Sequence, residues 1–281
     1  MIPFIDFGGS GQPLVFLHAN GYPPGCYQQL LTKLAGHSSV SAMVQRPLWE
    51  GSRPGKINDW HPLTDDLLCF LDERPSEPPI VVGHSLGGIV ALRAAIRQPE
   101  RFKALILLDP VLFPPSFIFL WRVARALQLG HRLHPLIQVA RKRRRAFDDL
   151  EKVFNGYRRR EIFRYFNDEA LRGYITGITK PATDGGYELA YSPEWEAQIY
   201  LTSVWRDLEL WQGLRSLKPP LLIIRGAETG TFLAATGRRV VRTNPSVSVE
   251  TIQKTTHLVP LERPAETFDL ILTFLAQMAN P

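Results

Sequence analysis

Apolar runs without polar alternation recur along this chain, at LVFLH (14–18), PIVVG (79–83), ALILLD (104–109) and PLLIIR (220–225). A strand that faces water on one side alternates apolar and polar residues. These runs do not, so each needs cover on both faces. Segments with helical spacing lie between and after them, near 25–36, 60–73, 86–98 and 264–278. Weaker strand-like segments lie near 2–7, 40–45 and 247–252. Alternation of this kind predicts an α/β fold: a mostly parallel central sheet with crossover helices on both faces.

That rhythm holds over residues 1–109 and 219–281 and fails over 110–218. The middle segment is rich in arginine and aromatic residues, has helical spacing and offers no convincing buried strand. LFPPS opens it and LKPP closes it, with prolines as hinges and helix stops. It is expected to form a helical insertion. Within it, SFIFLWRVARALQL places Arg122, Arg125 and Gln128 three apart among apolar residues. That pattern predicts a mostly buried helix with one wet edge. The other reading of the same helix is a surface that touches lipid or a greasy substrate.

The net charge of +6 is carried by this segment, which holds 18 Lys/Arg against 12 Asp/Glu, while the remainder holds 15 of each. The densest runs are RKRRR (141–145) and RRR (158–160). A solvated helix face is the plain expectation. An acidic surface, membrane phosphates or an anionic substrate are the partners that such runs would otherwise fit. No aromatic-and-basic platform accompanies them, so no nucleic-acid partner is expected. Cys26 and Cys69 form neither a metal spacing nor a disulfide framework. The opening MIPFIDFGGSG has no basic stretch before an apolar one, and no long uncharged apolar run exists. A cytoplasmic protein without signal peptide or membrane span is therefore expected.

One stretch carries chemistry. In PPIVVGHSLGGIVALRAA (78–95), a buried strand stops at a serine fenced by Gly83 and Gly87, and a helix begins at Leu86. Small residues there permit a sharp strand-to-helix turn that presents Ser85 at the end of a sheet. A serine so held is a nucleophile if a base lies close. LHANGYPPG (17–25) follows another strand, and its loop can aim the Asn20 N–H at a developing oxyanion, with the Leu86 N–H as second donor. KTTHLVPLERP (254–264) places His257 between the last strand and the last helix, as a candidate base. His18 and His84 flank motifs and read as structural. His37, His61, His131 and His134 read as loop or helix-surface residues. His131 and His134 are three apart without a third ligand, so no metal centre is expected.

LHANG, GHSLGG, RGAET and HLVPLERP, in that order and at those spacings, resemble the α/β-hydrolase superfamily over residues 1–109 and 219–281. QRPLWEGSRP (45–54) resembles the loop after that family's fourth strand. The resemblance implies a Ser-His-acid triad, no cofactor, and a helical cap (110–218) inserted after the sixth strand as the family counts them. Relatives usually place the acid four residues after the seventh-strand glycine. Here that glycine is Gly226 and the fourth position is Gly230. Asp109 and Glu228 are the two substitutes, and absence of a working acid is the third option. Haloalkane dehalogenases of the superfamily often carry their acid at the position of Asp109, but Ser85 stands where they carry an aspartate nucleophile. The implied activity is hydrolysis of small-molecule carboxylic esters with apolar or aromatic acyl groups. The insert's aromatic residues (Phe113, Phe117, Phe119, Trp121, Trp195, Trp205, Trp211) could roof such a pocket or pack helices together. Cleavage of a C–C bond or a thioester by the same serine, or slow turnover in a ligand-binding protein, are the alternatives.

Overall fold

The computed structural model describes residues 1–74, 77–129 and 134–279. Seven strands form the main sheet: β1 (Phe4–Gly8), β2 (Pro13–Leu17), β3 (Ser39–Met43), β4 (Ile80–His84), β5 (Ala104–Leu108), β9 (Leu221–Gly226) and β10 (Ser248–Ile252). They are ordered β1-β3-β2-β4-β5-β9-β10. Only β1 runs antiparallel to its neighbour, and the other pairs are parallel.

The continuous apolar runs are explained by the pleat. Val15, Leu17, Val81, Leu105, Leu107, Leu221 and Ile223 point into one core. Leu14, Phe16, Ile80, Val82, Ile106, Leu108, Leu222 and Ile224 point into the other. Helices α2 (His61–Asp72) and α3 (Leu86–Arg97) cover the first face, while α1 (Gln28–Ala35) and the C-terminal helix (Pro264–Ala279) contribute to covering the second. Full burial of each such side chain contributes about 1.5–3 kcal/mol, which favours apolar residues on both faces; the polar exceptions, His84 and Arg225, lie near the carboxyl ends of their strands.

Among the described residues, the 110–218 segment contains helices Pro115–Ala126, Pro135–Arg141, Leu150–Arg158, Asp168–Ile178, Pro193–Leu201 and Leu208–Gly213. It leaves the sheet after β5, the fifth strand of this chain, so the family's count of six runs one ahead here. It also contains strands, contrary to expectation: β6 (Ala146–Phe147), β7 (Thr179–Pro181) and β8 (Tyr187–Leu189) pair in the order β6-β8-β7. At two to three residues each, and largely exposed, they leave no buried apolar run to read. A helix over Ala234–Thr243 was also not legible, because AATGRRVVRT buries only Thr236, Gly237 and Val240.

The arginine runs do not form a helix face. The helix Pro135–Arg141 ends as RKRRR begins, and Arg143, Arg144 and Arg145 lie in extended chain, paired with Glu196, Asp148 and Glu194. Arg158 closes its helix by donating to the carbonyls of Phe163 and Phe166. The helix Pro115–Ala126 departs from expectation as well. It buries Ile118, Trp121 and Ala124, and leaves Phe119, Leu120 and Val123 exposed. The indole N–H groups of Trp121 and Trp211 donate to Ser203 and Phe113 within the segment, while those of Trp195 and Trp205 donate to Ser52 and Asn58 and tie it to the chain after β3.

Candidate active site

Parallel strands bring their carboxyl ends to one edge of a sheet, and loops from several strands meet there. Ser85 follows β4, Asp109 follows β5, and His257 lies five residues after β10. Ser85 is the turn itself. Its φ of 55° and ψ of −112° lie outside the ordinary regions, and its N–H donates to the Leu108 carbonyl at 3.0 Å. The glycines make this turn sterically feasible. A Cβ at Gly83 would lie 2.5 Å from the Gly87 carbonyl carbon, and one at Gly87 would lie 2.3 Å from the Leu17 oxygen.

The three side chains form one hydrogen-bonded line. Ser85 Oγ lies 2.8 Å from His257 Nε2, and His257 Nδ1 lies 2.8 Å from Asp109 Oδ1. A carboxylate only accepts, so Nδ1 carries the hydrogen and Nε2 is free to accept from the serine. Asp109 is fully buried. Its burial is offset by two further donors: the Gly226 N–H to Oδ2 at 2.9 Å and the Thr229 hydroxyl to Oδ1 at 2.7 Å. Its φ of 42° aims the carboxylate back across the sheet edge. Glu228 is elsewhere. It is exposed and accepts from Arg164 and Tyr165, each at 2.6 Å. Thr229 was missed in the sequence, since a threonine beside an absent aspartate carries no signal of its own.

His84 adds a connection that the sequence did not reveal. Its Nε2 lies 2.9 Å from the His257 carbonyl, which can only accept, so Nε2 carries the hydrogen. Nδ1 then accepts from the Tyr27 hydroxyl at 2.8 Å, and that hydroxyl accepts from the Ala19 N–H at 3.1 Å. Burial and the neighbouring His257 push the His84 pKa well below its ordinary value, in keeping with a neutral ring. The backbone of His257 and the loop after β2 are thereby tied through one buried imidazole.

That loop carries Asn20. Its side chain is held from the 110–218 segment, with Nδ2 donating to the Glu196 carbonyl at 3.1 Å and Oδ1 accepting from Tyr191 at 2.9 Å. Glu196 in turn pairs with Arg143 at 2.5 Å. Leu86 opens α3, where the first N–H groups have no acceptor within the helix. Neither the Asn20 nor the Leu86 N–H has a protein acceptor among the described residues.

Of the remaining histidines, His18 is buried between the Ala19 carbonyl and the Gln45 N–H. His61 pairs with Asp59 and Glu209, His37 packs on Phe268, and His134 lies between Trp121 and Tyr200. His131 lies outside the described residues. No cluster of three metal-ligating side chains occurs among the described residues.

Burial lowers the His18 pKa from 6.5 to about 4. An unfolded chain binds a proton below pH ~6.5 that this ring in the native state refuses until pH ~4, so its contribution is complete above 6.5 and declines as pH falls through that window. At pH 5 the expected loss from His18 alone is about 2 kcal/mol. Urea unfolding at pH 7 and pH 5 measures it. His18→Gln, which keeps a donor and an acceptor, should flatten the difference, and an unchanged pH dependence would assign the acid lability to other groups.

The chain belongs to the alpha/beta hydrolase family, whose sequence model matches residues 14–270. It is 27% identical to the mouse (lyso)-N-acylphosphatidylethanolamine lipase over 268 residues, covering 90% of this chain and 75% of that one. A shorter match, to human monoglyceride lipase, is 28% identical and spans 43% of either chain. Among solved structures, E-2-(acetamidomethylene)succinate hydrolase superposes with a TM-score of 0.76 at 21% identity, covering 97% of this chain and 94% of that one. Solved structures named as a thioesterase domain and as an esterase share the fold, with TM-scores of 0.74 and 0.68 at 18% identity.

Proposed function

We propose that the protein hydrolyses carboxylic esters with apolar acyl groups through a serine acyl-enzyme. The observation that carries this reading is the unbroken line from Ser85 through His257 to Asp109, with both contacts at 2.8 Å. Ser85 Oγ attacks the ester carbonyl as His257 Nε2 takes its proton. Asp109 keeps the ring in the required tautomer and stabilises the imidazolium. The carbonyl oxygen, now an oxyanion, accepts from the N–H groups of Asn20 and Leu86. Collapse expels the alkoxide, which takes the proton from His257, and water then attacks the acyl-serine by the same route. Small-molecule esters are the partners this mechanism requires, and no step calls for a cofactor. The apolar acyl preference finds support in the two relatives named for lipid hydrolysis.

The reading of a slow ligand-binding protein rested on Gly230 standing where an acid was expected. Asp109 beside His257, at 2.8 Å, supports the esterase reading instead. The test is labelling with a fluorophosphonate. The native protein is expected to react within minutes at Ser85, and Ser85→Ala not at all. Failure to label, or labelling at another residue, would refute the assignment. A panel of p-nitrophenyl esters, acyl thioesters and vinylogous diketones then decides between ester, thioester and C–C cleavage.

A further inference from the structure

The helix Pro115–Ala126 turns a line of apolar side chains away from the protein. Opposite the buried Ile118, Trp121 and Ala124 stand Phe119 and Leu120, each 65% exposed, Val123 at 41%, and Leu127 just past the helix end at 64%. The helix Pro135–Arg141 also turns Leu136 and Val139 outward, exposed by 44% and 61%. On the inner side, Trp121 of the first helix meets His134, the residue just before the second, edge to face with ring centroids 5.6 Å apart. Single exposed apolar residues are ordinary, but six on two adjoining helices form a patch of the kind that marks an interaction surface.

Charge identifies what would cover it. Arg122 lies on the first helix, and Arg141 and Lys142 end the second. All three are exposed and have no carboxylate partner among the described residues. Elsewhere in RKRRR the cations are paired with carboxylates, and Arg125 is held by the Leu201 and Asn58 carbonyls, so among the described residues these three are exposed cations near the patch with no partner carboxylate. A second copy of this chain would bring like charges together across the contact. A bilayer carrying anionic headgroups meets both requirements: its phosphates attract the cations, and its acyl boundary accepts the apolar side chains. Neither helix is long and apolar enough to span a membrane.

We infer that the outward faces of the helices Pro115–Ala126 and Pro135–Arg141 dock the protein on anionic membrane surfaces, lying in the interface plane. This is independent of the esterase reading, because it concerns a surface outside the Ser85 line. Co-sedimentation with phosphatidylserine-containing vesicles tests it. The native chain is expected to bind at low salt and to bind pure phosphatidylcholine vesicles at least about tenfold more weakly. Leu120→Glu with Leu127→Glu should weaken binding by at least about tenfold, with hydrolysis of a soluble p-nitrophenyl ester and the melting temperature unchanged. Arg122→Gln with Lys142→Gln should weaken it and reduce its salt dependence. No binding to anionic vesicles at low salt, or binding unaffected by either pair, would overturn the inference. So would sedimentation as a dimer that the glutamate pair dissociates, since the patch would then belong to a second copy.

Discussion

Asp109→Asn is expected to lower kcat/KM on a soluble ester by about four orders of magnitude, while Glu228→Gln leaves it within about twofold. The carboxylate accepts from three donors: the Gly226 N–H, the Thr229 hydroxyl and His257 Nδ1. An asparagine has one oxygen. If that oxygen serves Gly226, its amide nitrogen faces His257 and presents a hydrogen to Nδ1. The ring must then carry its own hydrogen on Nε2, and it can no longer accept from Ser85. Glu228 makes its hydrogen bonds to Arg164 and Tyr165 instead, so its loss leaves the proton path intact. Steady-state kinetics on both variants measure the contrast. Small, equal effects would remove Asp109 from the chemistry.

Gly87→Ala is expected to cost about 3 kcal/mol or more, a fall in melting temperature of about 10 °C, or to prevent folding. The added methyl would lie 2.3 Å from the Leu17 carbonyl oxygen and 2.7 Å from the Leu17 Cβ. Leu17 lies in a central strand, paired on both sides, and it cannot withdraw. Gly55→Ala is the control, because nothing lies within 4 Å of the added carbon there. Thermal melts followed by circular dichroism give both values, and equal stability of the two variants would contradict the close approach of α3 to β2.

The sheet was legible because its strands are buried on both faces. The runs at 14–18, 79–83, 104–109 and 220–225 each fall within two residues of an observed strand. The turn at Ser85 was legible because its glycines are demanded by backbone contacts. The acid could not be chosen from sequence. The sequence ranks Asp109 ahead of Glu228 without excluding either, and what separates them in space is that Asp109, with φ of 42°, meets His257 while Glu228 meets Arg164 and Tyr165. The exposed helix at 115–126 was misread for a related reason. Helical periodicity shows which residues share a face, and the apolar side chains here are too many for one buried stripe. Only the packing of Ile118, Trp121 and Ala124 reveals which side is turned inward.

The side chains of Ser85, Asp109 and His257 all hang from the central sheet, and their mutual hydrogen bonds use nothing contributed by residues 110–218. Asn20 differs, because its side chain is fastened to Tyr191 and to the backbone of Glu196. On the proposed function, residues 110–218 could be rebuilt over evolutionary time, and the range of accepted molecules altered, without disturbing the Ser85, His257 and Asp109 contacts. Each rebuilding would still have to anchor the Asn20 side chain, or its N–H would lose its fixed aim.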